Sequence, residues 1–526
     1  MATPKEIIFE EEARNKLLAG IELLESAVSI TLGPKGRNVG YEKSWGAPTI
    51  TNDGNSIVNE IELDGFENLG VSMAKEVAQK IKEKSGDGTT TGTVLLRALV
   101  ATGVKFIESG ASPILVKRGM DKAVEAVVAS IDEMATPVHT QDEIRNIATV
   151  SASGNTEIGQ LISDAMEKVG KEGVITIEEA KGIETTIEIV EGMQFDRGYS
   201  SPYFCTNAEK LIAELDNAQL LLVDRKLSNV HELLPILQAA AATGRELLII
   251  AEDFEGDVLS TLVVNRLRGS LKASAVKAPG FGDKRKAMLQ DIAVLTGATV
   301  VSDETGTSLR DADASVLGHA EKVTITNDST TIISQGHEEA VQTRVKQIEN
   351  EIEQSTSKWD KEKLEERKAK LSGGVALVRV GSATEPEMKQ KKQDAEDSLN
   401  STRAAVQEGI VPGGGVALVR ASQALESLKL EGDELLGAHA VIKACRAPLK
   451  QIVKNSGEDG SVILAEILDS KGAIGFNAAT GQKEDLIKSG IIDPAKVVKS
   501  ELIHAASTAG IVLISEALVI DAKDDE

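Results

Sequence analysis

Several common chemistries have little to work with in this chain. Histidine occurs six times and cysteine twice in 526 residues. Cys205 and Cys445 lie far apart in sequence, so no disulfide framework is expected and a reducing compartment fits. Neither cysteine sits near a histidine at a metal-ligand spacing, and His-Glu-x-x-His is missing, which gives zinc chemistry no foothold. Positive charge is in deficit: 58 Lys and Arg stand against 82 Asp and Glu, a formal net charge of −24. A nucleic-acid scaffold needs a basic face, so no nucleic-acid partner is expected. The acidity favours solubility. No unbroken apolar run reaches the roughly 18–20 residues that span a bilayer, so no membrane partner is expected either. The start, Met1 to Glu12, is polar and acidic, unlike a secretory signal or an Arg-rich transit peptide. There is no Gly-x-x-x-x-Gly-Lys-Ser/Thr phosphate loop. Aromatic residues are scarce, thirteen in all.

What is present is most informative at Ser85-Gly86-Asp87-Gly88-Thr89-Thr90-Thr91. Two glycines, an acid and three threonine hydroxyls precede an apolar run, Gly92 to Val100, that reads as a helix. Free backbone N–H groups and the helix dipole attract phosphate at such a position. Glycine lets the backbone approach an anion closely. Asp87 would repel phosphate, which points to a bridging metal ion. A helix cap with an Asx turn would use the same residues.

Length alone implies two to four domains. Residues 10–135 read as mainly helical: Ala13, Leu17, Ile21, Leu24 and Val28 keep helical spacing up to a Gly/Pro stop at Thr31–Gly36. Short strands are expected at Asn38–Tyr41 and Thr49–Thr51, a turn at Asn52–Gly54, and helices at about 65–84, 89–109 and 113–135. The centre changes character. Strands are expected at 173–177, 185–190, 220–223, 247–251 and 273–277, with helices at 230–243, 256–268 and 284–295 between the later ones, the pattern of an α/β layer. A charged helical hairpin is expected over 337–371, broken near Ser355–Ser357, then a strand at Val375–Val380. The section 385–515 is helical again, with glycines at 413–415. Two helical ends therefore flank an inserted α/β centre.

The scarce aromatics cluster. Phe195, Tyr199, Tyr203 and Phe204 fall within ten positions, where the chain-wide rate would place about a quarter of one. Leu234 with Leu237, and Leu259 with Val263, share helix faces, with Val264 alongside. Such residues ordinarily belong to a core.

Taken together, Thr31–Gly36, Asp53-Gly54, Gly86–Thr91, Glu191-Gly192-Met193 with Phe195–Tyr199, Lys277–Asp283 and Gly413–Gly415 resemble the group I chaperonins, the GroEL type, in order and spacing from about residue 5 to 520. The resemblance implies a multidomain α+β and α/β protein: a helical equatorial domain from both termini (1–135 and 408–526), a small hinge-like intermediate domain (136–190 and 375–407) and an inserted α/β apical domain (191–374). It implies an ATPase that captures non-native proteins and encloses them for folding. ATP and Mg²⁺ are the expected cofactors, with K⁺ as a further candidate. Thr31, Leu32, Gly33 and Pro34 resemble the segment lining phosphates and base. Asn52 stands where a lysine is frequent. Asp87 resembles the metal ligand, and Gly88, Thr89, Thr90 and Thr91 the phosphate cradle. Gly414 matches a backbone contact, Asn477, Ala478 and Ala479 the adenine-side loop, and Asp493 the ribose contact. Asp397 and Asp53 resemble the acids of hydrolysis, Asp397 reaching the site by domain closure. Tyr199, Tyr203, Phe204, Leu234, Leu237, Leu259, Val263 and Val264 resemble the apical surface for clients and for a lid co-chaperonin. The implied assembly is a homo-oligomeric ring of seven subunits, in two stacked rings. A bacterial cytoplasm is the expected location, an organelle matrix of endosymbiotic origin the alternative.

Some positions depart from the pattern. Gly92 replaces an alanine and is expected to loosen its helix start. Ser200 replaces an aliphatic residue and is expected to make the groove more polar. Asn155 and Asp394 stand where an Asp–Arg pair is common, so that bridge cannot form. Arg197 and Glu385 retain another. Two other classes remain open at this level: a small-molecule ATP phosphotransferase, which could use the same loop and acids, and a scaffold that holds unfolded chains without useful ATP turnover.

Overall fold

The computed structural model describes residues 4–42, 48–152, 154–170, 173–180, 182–207, 211–302, 309–310, 312–355 and 358–522. The chain divides into two compact units, Met1–Ser163 with Lys389–Glu526, and Asp164–Met388.

The first unit is helical. Ala13, Leu17, Ile21, Leu24 and Val28 all point into the core from the helix Glu10–Val28. A short 3-10 turn, Ser29–Thr31, ends it, and Gly33 follows at a φ of 87°. Helix Thr89–Glu108 buries residues on every side, as a helix that is apolar all round must. It packs against Ala495–Ile514, from the other end of the chain. By length and composition these two helices could cross a membrane, a property that the search for unbroken apolar runs misses. Their most apolar windows are instead 72% and 67% buried within the unit, so their apolarity is accounted for by the core.

Glycine sets the closest helix crossings. A Cβ on Gly20 would overlap the carbonyl of Glu67, and one on Gly70 the carbonyl of Leu17. This brings Glu10–Val28 and Glu67–Ser85 backbone to backbone. Gly119 and Gly437 do the same for Pro113–Met134 and Gly432–Cys445: their Cβ positions would overlap the carbonyls of Glu434 and Val116. Gly92 belongs to this group. A Cβ there would overlap Ile81, so it tightens the contact with Glu67–Ser85 rather than merely loosening a helix start.

Other expectations are refined. The turn at Asn52–Gly54 is a helix start, with Asp53 capping Gly54–Glu60. The first and last elements are strands that short, mostly exposed sequences did not reveal: Lys5–Phe9 pairs antiparallel with Ala517–Asp521. Residues 136–170 carry two helices, Gln141–Ser151, opened by a Thr140/Glu143 capping box, and Thr156–Val169.

The second unit is built on a mixed seven-stranded sheet. Its order is Gly192–Phe195, Thr330–Ile333, Gly318–Ile325, Ala213–Leu227, Leu247–Phe254, Ala273–Lys277, with Val300–Val301 also joined to Ala213–Leu227. The last three are parallel to one another, connected by helices Val230–Thr243 and Gly256–Leu267. A three-stranded sheet holds Val375–Val380 between Val174–Glu179 and Thr186–Val190. The charged hairpin is Glu338–Gln354 and Lys358–Ser372; Thr356 and Ser357, at its expected break, lie outside the described residues. Both its helices reach one fully buried carboxylate: Arg344 Nε lies 2.8 Å from Asp291 Oδ1, and Arg367 binds both Asp291 oxygens. Two guanidinium groups on one acid supply the pairing without which a buried charge is strongly destabilising.

Replacing Gly119 by Ala puts a methyl group into the Glu434 carbonyl. The expected loss is about 1–3 kcal/mol, from overpacking, read as a lower thermal unfolding midpoint. An unchanged midpoint would mean that this crossing opens freely.

Candidate functional site

The N-terminus of Thr89–Glu108 organises the site. Gly86 and Gly88 take φ values of 77° and 99°, which turns the chain sharply between the end of Glu67–Ser85 and the next helix. No side chain caps the new helix at Gly88. Its first free N–H groups are thus available to an anion. Asp87 Oδ1 accepts from Gly88 N at 2.6 Å, and Oδ2 accepts from Ser401 Oγ at 2.8 Å.

Ser401 lies one turn beyond Asp397 on Glu385–Glu408. Asn400 packs so closely on Gly86 that a Cβ there would overlap its side chain. The Asp397 segment is therefore docked against the Asp87 loop. Asp397 Oδ1 accepts from Gln393 Nε2 at 3.0 Å, and Asp394 accepts from Gln390 at 2.9 Å. Asp53 comes in beside them. Its oxygens accept from Asn55 N, Ser56 N and Ser56 Oγ, while Gly54 packs against Thr90.

On another side, Ile410–Pro412 pairs with Ile492–Pro494, which places Asp493 beside the Gly413–Gly415 turn. Gly414 in turn faces the carbonyl of Phe476. That strand, Ile474–Asn477, leads into a hairpin whose Asn477 accepts from Ala479 N at 3.0 Å and donates to Glu484 at 2.6 Å. The Thr31–Pro34 segment is fastened by a residue that periodicity did not single out: Asn455 Nδ2 donates to Ser29 O and Leu32 O, both at 2.9 Å. Thr31 Oγ1 turns back to Val28 O at 2.8 Å. Asn52 is exposed, within 3.4 Å of Gln390.

The electrostatics of this pocket are one-sided. Burial, then the neighbouring Asp87 and Asp53 carboxylates, hold Asp397 well above the ordinary carboxylate range. Burial raises Asp87 too, against its bonds from Ser401 and Gly88. It also raises Asp394, and with Asp87 it pushes Asp493 up to about 7. Glu501, on Ala495–Ile514, is buried and raised well above its usual value by burial and by Asp493 and Asp87. It was not picked out from the sequence, where one Glu on a long helix looks like surface charge.

Crowded acids of this kind favour binding a cation. Mg²⁺ commonly takes one or two carboxylates and completes its shell with phosphate oxygens and water. Asp87, with the uncapped helix start, fits such a metal–phosphate group, which when bound neutralises charge on the transferring phosphoryl.

The TCP-1/cpn60 chaperonin family model matches residues 24–523. The chain belongs to the TCP-1/cpn60 chaperonin family. It is 67% identical over 528 residues to Chaperonin GroEL 3 of Protochlamydia amoebophila (strain UWE25), covering 100% of this chain and 99% of that protein. The fold is shared with the chaperonin gp146 from the bacteriophage EL 2 (Pseudomonas aeruginosa), solved in the presence of ATP-BeFx. That similarity has a TM-score of 0.72 at 23% identity and covers 98% of this chain and 99% of that one. The protein is thus a GroEL-type chaperonin, an ATP-dependent chaperone with ATPase activity.

The apical candidates of this chaperonin separate by exposure. Tyr203 is 65% exposed, Val264 42% and Leu234 39%. Tyr199, Leu237, Leu259 and Val263 are partly buried against the core beneath. Phe204 requires correction: it is fully buried in that core, because the 3-10 turn Pro202–Phe204 points Tyr203 outward and Phe204 inward. The Ser200 hydroxyl is also buried, with no hydrogen-bond partner, so it adds no polarity to the groove surface. Asn155 caps the helix after it, accepting from Glu157 N and Ile158 N. Arg197 lies over the exposed Phe281 ring, 5.5 Å from its centroid.

The raised acids predict how stability varies with pH. Asp493 folds with a value near 7 against an unfolded one near 4, so the folded state binds more protons between these limits. Its contribution to stability is present at low pH and is lost as pH rises through 7. Without nucleotide and Mg²⁺, the unfolding midpoint of the parent chain should fall relative to that of Asp493→Asn between pH 5 and 8. Parallel midpoints across that range would show that Asp493 titrates normally.

Proposed function

We propose that this chaperonin hydrolyses ATP at the site around Asp87 and uses the reaction to switch the second unit's apolar surface between capture and release. The observation that carries this reading is the hydrogen bond from Ser401 to Asp87, which sets Asp397 one helical turn from the proposed Mg²⁺ ligand. Asp87 would hold Mg²⁺. The N–H groups and hydroxyls of Thr89–Thr91 hold phosphate oxygens, and Thr31–Pro34, Gly414, Asn477–Ala479 and Asp493 enclose the rest of the nucleotide. Asp397 accepts a hydrogen bond from water and orients it, supported by Asp53. Phosphoryl transfer to water needs little more than this positioning and charge neutralisation. K⁺ is a fitting second cation for so acidic a pocket.

In this reading residues 1–135 and 408–526 form the equatorial domain, 136–190 and 375–407 the intermediate domain, and 191–374 the apical domain. Asp397 belongs to the intermediate part, so hydrolysis requires that part to be docked on the Asp87 loop, and release of the docking would stop it. Tyr203, Leu234 and Val264, with the partly buried Tyr199, Leu237, Leu259 and Val263, form the surface for non-native clients and the lid co-chaperonin. Burying one large side chain yields about 1.5–3 kcal/mol, most of it offset by ordering costs. One subunit therefore binds weakly and without selectivity. Copies in a homo-oligomeric ring gain through multivalency. We assign seven subunits to a ring, two stacked rings, and a bacterial cytoplasmic location.

Asp397→Ala should reduce steady-state ATP hydrolysis to near background while Mg-ATP binding by calorimetry stays close to that of the parent chain. Equal turnover would remove Asp397 from the reaction. For the apical surface, Tyr203→Glu should impair both capture of a chemically denatured enzyme and lid binding, and leave basal ATPase unchanged. Normal capture would place the client surface elsewhere. Refolding of that enzyme with ATP and lid would support the chamber reading. Suppressed aggregation without recovery would favour a holding role.

A further inference from the structure

Glu501 is out of place by the ordinary rules of burial. It is 5% exposed on a helix whose other buried residues carry no charge, and no ion-pair partner reaches it among the described residues. Burying a carboxyl is costly unless it is used, and an apolar residue of the same volume would pack there without that cost. The carboxyl is in use. A Cβ on Gly88 would lie 2.4 Å from Glu501 Oε1 and 2.9 Å from Glu501 Cγ, closer than side chains pack. The Thr91 side chain, in the first turn of Thr89–Glu108, faces the same carboxyl. Glu501 thus meets the Gly88–Thr91 loop at both its ends, Gly88 and Thr91, from a helix just over 400 residues later in the chain.

We propose that Glu501 is a positioning residue for nucleotide binding: it orients the Thr91 hydroxyl and supports the Gly88 turn, so that the loop is held ready for phosphate. The proposal rests on the reading of Gly88–Thr91 as the phosphate cradle. A carboxyl oxygen can accept from the Thr91 hydroxyl and so fix its orientation. An amide has the same shape and a carbonyl oxygen that accepts in the same way. An alkyl group has neither.

The test is Mg-ATP affinity by isothermal titration, with KM and kcat for ATP and the unfolding midpoint measured alongside. Glu501→Ala should weaken binding by about three- to tenfold, the range of one lost hydrogen bond, and raise KM by a similar factor with a smaller effect on kcat. Glu501→Gln should bind Mg-ATP like the parent chain. Thr91→Val should match Glu501→Ala, Thr91→Ser should restore binding, and Glu501→Ala combined with Thr91→Val should be no worse than either alone, since they remove one interaction. If Glu501→Ala fails to fold, the Thr91 pair and Glu501→Gln still decide the matter. Unchanged affinity in Thr91→Val, full additivity in the double variant, or a loss in Glu501→Gln equal to that in Glu501→Ala would overturn the proposal. If the parent chain itself binds no Mg-ATP, the reading of the phosphate cradle fails instead.

Discussion

Crowding of carboxyl groups at one helix N-terminus is the constraint on which the rest of this structure turns. Asp53, Asp87, Asp397, Asp493 and Glu501 arrive from four separate stretches of chain and influence one another there. In water such groups would separate. Here they are held by packing that has nothing to do with charge: the apolar helix Thr89–Glu108 beneath them, Ala495–Ile514 against it, and a docked segment carrying Asp397. The folded state therefore carries an electrostatic cost that protons relieve in part. A cation and a polyphosphate would relieve it more completely. That gives nucleotide-dependent behaviour a simple physical origin, because an arrangement that concentrates acids responds strongly to whatever neutralises them.

The surrounding scaffold is built for close approach. Gly20 with Gly70, and Gly119 with Gly437, let two pairs of helices meet backbone to backbone, and Gly92 admits Ile81 just inside the site helix. A strand pair ties the first element to the last. These contacts fix the Gly86–Thr91 loop by its foundations rather than by its own few hydrogen bonds. Asn455 has the same role for Thr31–Pro34, reaching across the sequence to hold two carbonyls of the loop. A mobile loop of threonines and glycines would lose too much conformational entropy on binding; a loop fastened from behind has already lost it.

The second unit handles its apolar residues differently. Its sheet is covered by two cores, and the large side chains left outside include Tyr203, Leu234, Val264, Leu267 and Phe281. Neighbouring residues divide sharply, Tyr203 out and Phe204 in. The exposed set is a thin layer over a rigid core, a suitable basis for weak and unselective contacts.

Much of this was legible in the sequence. Helical spacing located the buried stripe from Ala13 to Val28, alternation and turn residues located the strands of the inserted centre, and the glycines of Ser85–Thr91 marked a sharp turn into a helix, because each of these signals is local and depends on residues a few positions apart. The terminal strands, the start of a helix at Asp53 and the inward turn of Phe204 were not legible. Neither were the second contact made by Gly92, the buried hydroxyl of Ser200, or the roles of Asn455 and Glu501. These depend on which remote segment lies alongside, and one chain read alone carries no record of that. Residue types and their spacing determined what the elements are and which chemistry they could support. Only tertiary packing decided which acids share a space, which aromatic faces solvent, and which buried glutamate stands behind the loop, because burial and proximity are properties of assembled helices and sheets, not of the order of residues along them.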